Sequence, residues 1–240
     1  MKVPFVREWG SWVVFVSSWL AAIAAGSSSR HWQAGADIIP QTALTIIGLT
    51  LLVNSKNPLA SAIRTKGRNR EHLLWLLFFV LAGLAFLIPF IIAGMERFSV
   101  FSLLVLSYVV LLKSGKEHHL LAELNGFALL TLPAPVVYFM ITGVLSLKLY
   151  AAVLVFFAAG VFKVKLRIKK SAAYRMVMAL YCCAAVIIFY VLNIPVILLL
   201  PLVENMATVL WIREERLKAT GYTELLKSIM FLALILYFWK

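Results

Sequence analysis

Long apolar runs separated by short polar segments make up this chain, and this pattern restricts the fold more than any other feature. Of its 240 residues, 63% are hydrophobic, and the mean hydropathy is +0.95. Ordinary soluble domains are about half apolar, so a chain this apolar has more hydrophobic surface than a soluble fold can bury. We therefore expect an all-α, polytopic transmembrane helix bundle that forms a single domain over residues 1–240.

The apolar runs define nine candidate spans. Several are shorter than the roughly 20 residues that cross a bilayer squarely, so they must extend into flanking residues. The third and fourth runs are separated only by Met95-Glu96-Arg97. The predicted spans are residues 9–26, 38–54, 73–94, 98–112, 124–144, 149–164, 174–192, 194–212 and 224–239.

Basic residues are segregated when the chain is threaded through these nine spans. With the N-terminus inside, nineteen of the 23 Lys and Arg residues fall on the cytoplasmic side. This is the positive-inside pattern, and it predicts an N-in/C-out, multi-pass protein of the plasma (inner) membrane of a prokaryote. Membrane lipids are the expected partners, whereas nucleic acid is not, because no reader motif accompanies the charge.

Two basic cytoplasmic loops stand out in this topology. One runs from Asn54 to His72, after the second span, and the other from Lys163 to Arg175, after the sixth. Four spans separate them, which favours two four-helix halves followed by a ninth helix.

A carboxylate near the middle of the eighth span is the sharpest polar feature. Glu204, followed by Asn205, costs about 2.5–3.5 kcal/mol to insert, so it should face the bundle interior or a wet cavity. Arg213 is too far along the same helix to pair with it, so a basic partner must come from another span. The residues leave open a proton site, a cation or substrate contact, or an internal ion pair that only orders packing.

Further polar residues lie where spans begin or end on the predicted cytoplasmic side. They either cap helices and contact headgroups, or line a cytoplasm-facing cavity that binds a ligand. With Glu204 and Asn205, the candidate ligand-binding residues are Arg7, Glu8, Asn54, Glu123, Asn125, Lys165 and Arg167.

No set of side chains indicates a metal or a cofactor, and we expect neither. The four histidines fall in predicted loops, where they are usually solvated. The adjacent Cys182 and Cys183 lack the spacing of a redox or zinc motif, and we interpret them as packing residues.

One motif-level resemblance extends along the chain. Arg7-Glu8-Trp9-Gly10-Ser11-Trp12 resembles the opening REHGAW motif of the YwiC-like membrane proteins, with Trp9 in place of the usual His. Similar matches are Glu123-Leu-Asn-Gly126, Pro133-Ala-Pro135 and Thr220-Gly221 with Glu224. The resemblance implies an integral membrane protein of that family and no particular reaction.

The predicted topology also resembles the UbiA prenyltransferase superfamily, in which Asp-rich motifs in the same two loops hold Mg²⁺ against an isoprenyl diphosphate. Here the only Asp is Asp37, on the opposite side, and Asn54 and Asn57 are all that is similar to the first motif. Because Mg²⁺ requires hard oxygen ligands, standard prenyl transfer is disfavoured.

These observations favour a non-catalytic protein that binds an amphiphile, such as an isoprenoid, a quinone or an anionic lipid, in a cytoplasm-facing cavity. The alternatives are a small secondary transporter with Glu204 as the coupling carboxylate, a diverged UbiA-like transferase, and an accessory subunit of a membrane complex.

Overall fold

Helices make up the fold throughout the part of the chain that the structure describes. The computed structural model describes residues 6, 8–28, 38–66, 68, 70–115, 119–210 and 217–239, with side chains from residue 219 onward in the last range, and this part contains no β-strand. The α-helices are α1 (Trp9–Ser27), α2 (Ile38–Asn54), α3 (Lys56–Arg64), α4 (Arg70–Phe86), α5 (Ile88–Gly94), α6 (Ser102–Lys113), α7 (Leu120–Leu130), α8 (Pro133–Thr142), α9 (Leu147–Lys169), α10 (Ala172–Val191), α11 (Val203–Leu210) and α12 (Leu217–Phe238). Two 3₁₀ helices, Met95–Phe101 and Val196–Leu202, lead directly into α6 and α11.

Seven of the described helical stretches are long and apolar enough to cross a membrane, which supports the prediction of a multi-helix membrane protein. The apolar stretch Val196–Leu210 is shorter, and α4 is not among the seven. The structure thus shows seven candidate spans where the sequence predicted nine. The seven are Trp9–Ser27, Ile38–Arg64, Ile88–Lys113, Leu120–Thr142, Leu147–Lys169, Ala172–Val191 and Ala219–Phe238.

The fifth predicted span is a broken helix at the centre of the bundle. Pro133 and Pro135 have no N–H to continue the α-helical ladder, so the chain turns at Thr131 and restarts as α8, all of whose residues are buried. The carbonyl of Ala128, just before the break, accepts hydrogen bonds from Thr131 Oγ1 at 3.0 Å and Tyr150 Oη at 3.1 Å. These side chains replace the backbone donor that the break removes.

Close helix packing depends on small residues where α2 crosses α4. A Cβ placed on Gly48 would lie 2.8 Å from the carbonyl oxygen of Gly83, well inside van der Waals contact. In lipid, such close approach supplies the dispersion contacts that hold helices together. The main core lies beside this crossing, where α1 packs on α8 and α12.

Both predicted basic loops are largely helical. Residues 56–64 form α3, and α9 continues to Lys169, with α10 beginning at Ala172. The interpretation of Lys163 as a loop cation is wrong, because its side chain is fully buried inside α9. A run of basic residues usually indicates a solvated loop. A lysine in such a run can nevertheless be buried when carboxylates on neighbouring helices neutralise its charge.

Candidate functional site

Two acid–base pairs lie at one end of the bundle. Lys56 Nζ on α3 lies 2.9 Å from Glu8 Oε2 at the start of α1. Lys165 Nζ on α9 lies 3.0 Å from Glu123 Oε2 on α7. In each pair, a glutamate at the start of one helix meets a lysine beyond the apolar part of the following span, which is consistent with two related halves.

The Glu8 carboxylate is held in its charged form. Partial burial would raise its pKa, but the hydrogen bond and the charge of Lys56, and the hydrogen bond from Ser11 Oγ, together lower the pKa of Glu8 below its ordinary value of 4.5. The Ser11 hydroxyl donates to the carboxylate at 2.8 Å. A negative charge in this position also interacts favourably with the N-terminal end of α1.

A cavity of about 260 Å³ opens beside the first pair. Its inner wall includes the buried, apolar Leu112, Ala122 and Leu130. Further apolar lining comes from Ala60, Leu111, Gly126 and Phe127. The polar or charged lining residues come from the position just before α1 and from α1, α3, α6 and α7. These residues are Glu8, Ser11, Lys56, Asn57, Arg64, Tyr108 and Glu123.

A second cavity of about 330 Å³ lies on the other side of Glu123. Glu123 and Phe127 line both cavities, and Lys165 lines the second. The rest of its wall is mainly apolar, from Gly160, Val161, Val164 and Ile168 on α9. The two cavities therefore adjoin at the Glu123–Lys165 pair, and each combines charged groups with an apolar wall.

A cluster of four charges joins α9, α11 and α12. The α9 and α12 members lie in candidate membrane spans, and the α11 member lies in the shorter apolar stretch Val196–Leu210. Lys163 Nζ lies 2.5 Å from Glu204 Oε2 and 2.9 Å from Glu224 Oε1. Lys227 Nζ contacts the same two oxygens, at 3.3 Å from Glu204 and 2.5 Å from Glu224. Two ammonium groups thus face two carboxylates, and the cluster has no net formal charge.

Asn205 extends this cluster into the fully buried interior. Its Oδ1 accepts a hydrogen bond from Lys227 Nζ at 2.6 Å, and this contact fixes the orientation of the amide. Its Nδ2 and the Thr220 hydroxyl, both buried, find no hydrogen-bond partner among the described residues. Thr208 Oγ1 donates to the other carboxylate oxygen of Glu204 at 3.2 Å.

The structure separates the predicted site residues into two groups. Glu8, Glu123 and Lys165 line the paired cavities. Glu204 and Asn205 lie in the charge cluster, and the lysine partners of Glu204 come from other helices, as expected.

Three other predicted residues lie outside the cavity walls. Asn54 accepts the Val6 N–H at 3.2 Å and donates to the Thr50 carbonyl at 2.9 Å, so its amide joins α2 to the segment before α1. Asn125 donates to Ser107 Oγ at 2.8 Å and so joins α7 to α6. Arg167 is half-buried on α9. Arg7 and Asp37 lie outside the described residues.

Sequence reasoning did not select several of the cluster and cavity residues as site residues. Lys56, Arg64, Lys163 and Lys227 contribute to the predicted cytoplasmic charge, and Glu224 belongs to the YwiC-like resemblance. One signal was available: Glu224 and Lys227 are three residues apart on one helix, a spacing at which opposite charges meet. The spacing could not show that Lys163 points into the same interior.

The described residues contain no group of three or more His, Cys, Asp or Glu side chains that could hold a metal ion. In comparisons with protein-family models, curated proteins and solved structures, nothing matched this chain.

Proposed function

We propose that this protein binds an amphiphilic, lipid-like molecule in the two adjoining cavities beside Glu123. The observation that carries the proposal is the lining of the first cavity, which combines charged and hydroxyl groups with the buried, apolar Leu112, Ala122 and Leu130. Ligand sites combine an apolar lining with a few polar groups that fix orientation, and this cavity has both.

Topology and family membership are part of the same proposal. With nine spans, N-in and C-out, α4–α5 would cross separately from the rest of the Ile88–Lys113 stretch, and Val196–Leu210 would supply the other added span. Both cavities would then open to the cytoplasm. The chain would then be a YwiC-like protein of a prokaryotic inner membrane, with its charged cavity wall at the level of the lipid headgroups.

The test is mass spectrometry of lipids that co-purify with the gently solubilised protein. We expect a stoichiometric amphiphile in the wild type. We expect its loss in Lys165→Glu, which places a second carboxylate beside Glu123, and at least partial recovery in Glu123→Lys/Lys165→Glu, which restores the pair with its charges exchanged. Arg175→Gln, an exposed charge outside both cavities, is the matched control. The same bulk lipids in all four samples would refute the proposal.

The charge cluster favours a second candidate, a secondary transporter, because ionisable residues inside a membrane commonly mark ion pathways. Against this candidate, Glu204 already contacts two lysines and so would have to leave both to carry a proton. Glu204→Gln would abolish proton-coupled flux in a transporter, whereas it would leave a cavity-bound lipid in place. Wild type and Glu204→Gln, each reconstituted in liposomes that contain a pH-sensitive dye, distinguish the transporter from the lipid-binding protein.

A further inference from the structure

Both signs of charge line the first cavity in equal number. Lys56 and Arg64 lie on α3, separated by eight positions and therefore near the same helix face, with Ala60 between them. Glu8, just before α1, and Glu123 on α7 supply two carboxylates to the same lining. The formal charge of these four groups sums to zero, although the whole chain carries +13.

This balance discriminates between classes of headgroup. A purely anionic headgroup would gain from Arg64 but would compete with Glu8 for Lys56 and would lie near the Glu123 carboxylate, and a purely cationic one would lie near two cations. An uncharged headgroup would displace water from four charged side chains without replacing its hydrogen bonds, which is costly. A headgroup that carries a phosphate and a primary ammonium complements both sets.

From this arrangement we propose that the cavity takes a zwitterionic phosphate–amine headgroup of the phosphoethanolamine type. Its phosphate lies against Lys56 and Arg64 on α3, and its ammonium lies between Glu8 and Glu123. Charge-assisted hydrogen bonds to phosphate and to carboxylate are stronger than neutral ones, and such complementarity acts mainly on specificity. The inference rests on the proposed function, because it names the ligand class of the same cavity.

The four side chains are accessible enough to accept such a ligand. Arg64 is exposed, and Lys56 and Glu123 are about one third exposed on their side chains, at 33% and 34%. Glu8 is more exposed still, at 61%. Existing ion pairs hold Lys56 and Glu123 in place before the ligand arrives, so little side-chain ordering remains to oppose binding.

The test is native mass spectrometry of the full-length, detergent-solubilised protein titrated with phosphatidylethanolamine or with phosphatidylglycerol of the same acyl chains. We expect the first lipid to bind at least about tenfold more tightly, which corresponds to about 1.4 kcal/mol. In Glu123→Gln the preference should fall several-fold or reverse, because one carboxylate that repels the anionic lipid and attracts the ammonium is gone.

Arg64→Gln is a second test, at an exposed position. This variant keeps both the Glu8–Lys56 and the Glu123–Lys165 pairs, whereas Glu123→Gln removes one of them. It should weaken both lipids by a similar factor, because both carry the phosphate, while Arg175→Gln should weaken neither. If the wild type binds phosphatidylglycerol as tightly as phosphatidylethanolamine, the proposal of a zwitterionic headgroup is wrong, but the proposal that the cavity binds an amphiphile is not affected. If Arg64→Gln weakens the binding of neither lipid, the lipids do not bind in this cavity, and the proposed function itself is refuted.

A final experiment distinguishes a lipid headgroup from free phosphoethanolamine, which carries the same phosphate and ammonium groups. Soluble phosphoethanolamine is added to the complex with phosphatidylethanolamine. Displacement at millimolar concentration supports a zwitterion site that accepts the headgroup alone. Retention of the lipid supports a zwitterion site that also needs the acyl chains.

Discussion

Lys163 on α9 donates a hydrogen bond to Glu204 on α11, although the two residues are 41 positions apart in the chain. The lysine is fully buried, and the carboxylate also receives Lys227 from α12. Three helices are therefore joined through one carboxylate. A buried ion pair need not add stability compared with apolar residues, but removal of one partner leaves an uncompensated charge.

Replacement of Lys163 by Met should lower the free energy of unfolding by about 3 kcal/mol, because two carboxylates then share only Lys227. Thermal unfolding in detergent measures the loss. The double variant Lys163→Met/Glu204→Gln restores the charge balance and should recover part of it. If Lys163→Met is as stable as the wild type, then solvation by water, and not the charge of Lys163, compensates the carboxylates.

A methyl group at Gly48 should separate α2 from α4. Its Cβ would lie 2.8 Å from the Gly83 carbonyl and 2.8 Å from Leu87 Cγ, so Gly48→Ala should cost about 1–3 kcal/mol. Gly221→Ala is the control, because nothing lies within 4 Å of a Cβ there and alanine is the better helix former. Equal melting temperatures for the two variants would contradict the close crossing.

The Glu8–Lys56 pair should make stability depend on pH in the acid range. Because the pKa of Glu8 is lowered in the folded protein, its contribution is fully present above the ordinary value of 4.5 and is lost as pH falls through the lower, folded value. The difference in melting temperature between wild type and Glu8→Gln should therefore shrink below pH 4.5. It should also shrink at high salt, since Glu8 is well exposed. A difference that stays constant down to acid pH would assign the effect to packing.

Single cysteines test the proposed topology. In a Cys182→Ala/Cys183→Ala background, Lys148→Cys should react with a membrane-impermeant maleimide on intact cells, because the first turn of α9 would face outward. Ser114→Cys, after α6, should react only once the membrane is opened. Both positions are exposed in the structure, so access to the reagent depends on the side of the membrane. The opposite pattern would invert the orientation and place both cavities outside.

Hydropathy alone was enough to predict a helical membrane bundle. In lipid, the backbone N–H and C=O groups of each apolar run must form hydrogen bonds within the protein, and few structures other than the α-helix allow this. The run lengths placed several helices to within a few residues, including α1, α2 and α10, whereas α12 begins at Leu217, well before the predicted start at residue 224. The sequence places Pro133 and Pro135 within one predicted span, but it could not show that a side chain from another helix supplies a hydrogen bond at the break. That side chain is Tyr150 on α9, whose hydroxyl donates to the Ala128 carbonyl.

The sequence by itself also determined which polar residues were out of place, since the cost of inserting Glu204 in lipid depends only on its position in an apolar run. Only the tertiary structure decided what each polar residue meets. Whether Lys163 points to water or to Glu204 depends on how α9, α11 and α12 are rotated and packed against one another. The same packing brings Glu8, Lys56, Arg64 and Glu123 to one cavity, because residues far apart in sequence meet only when their helices do.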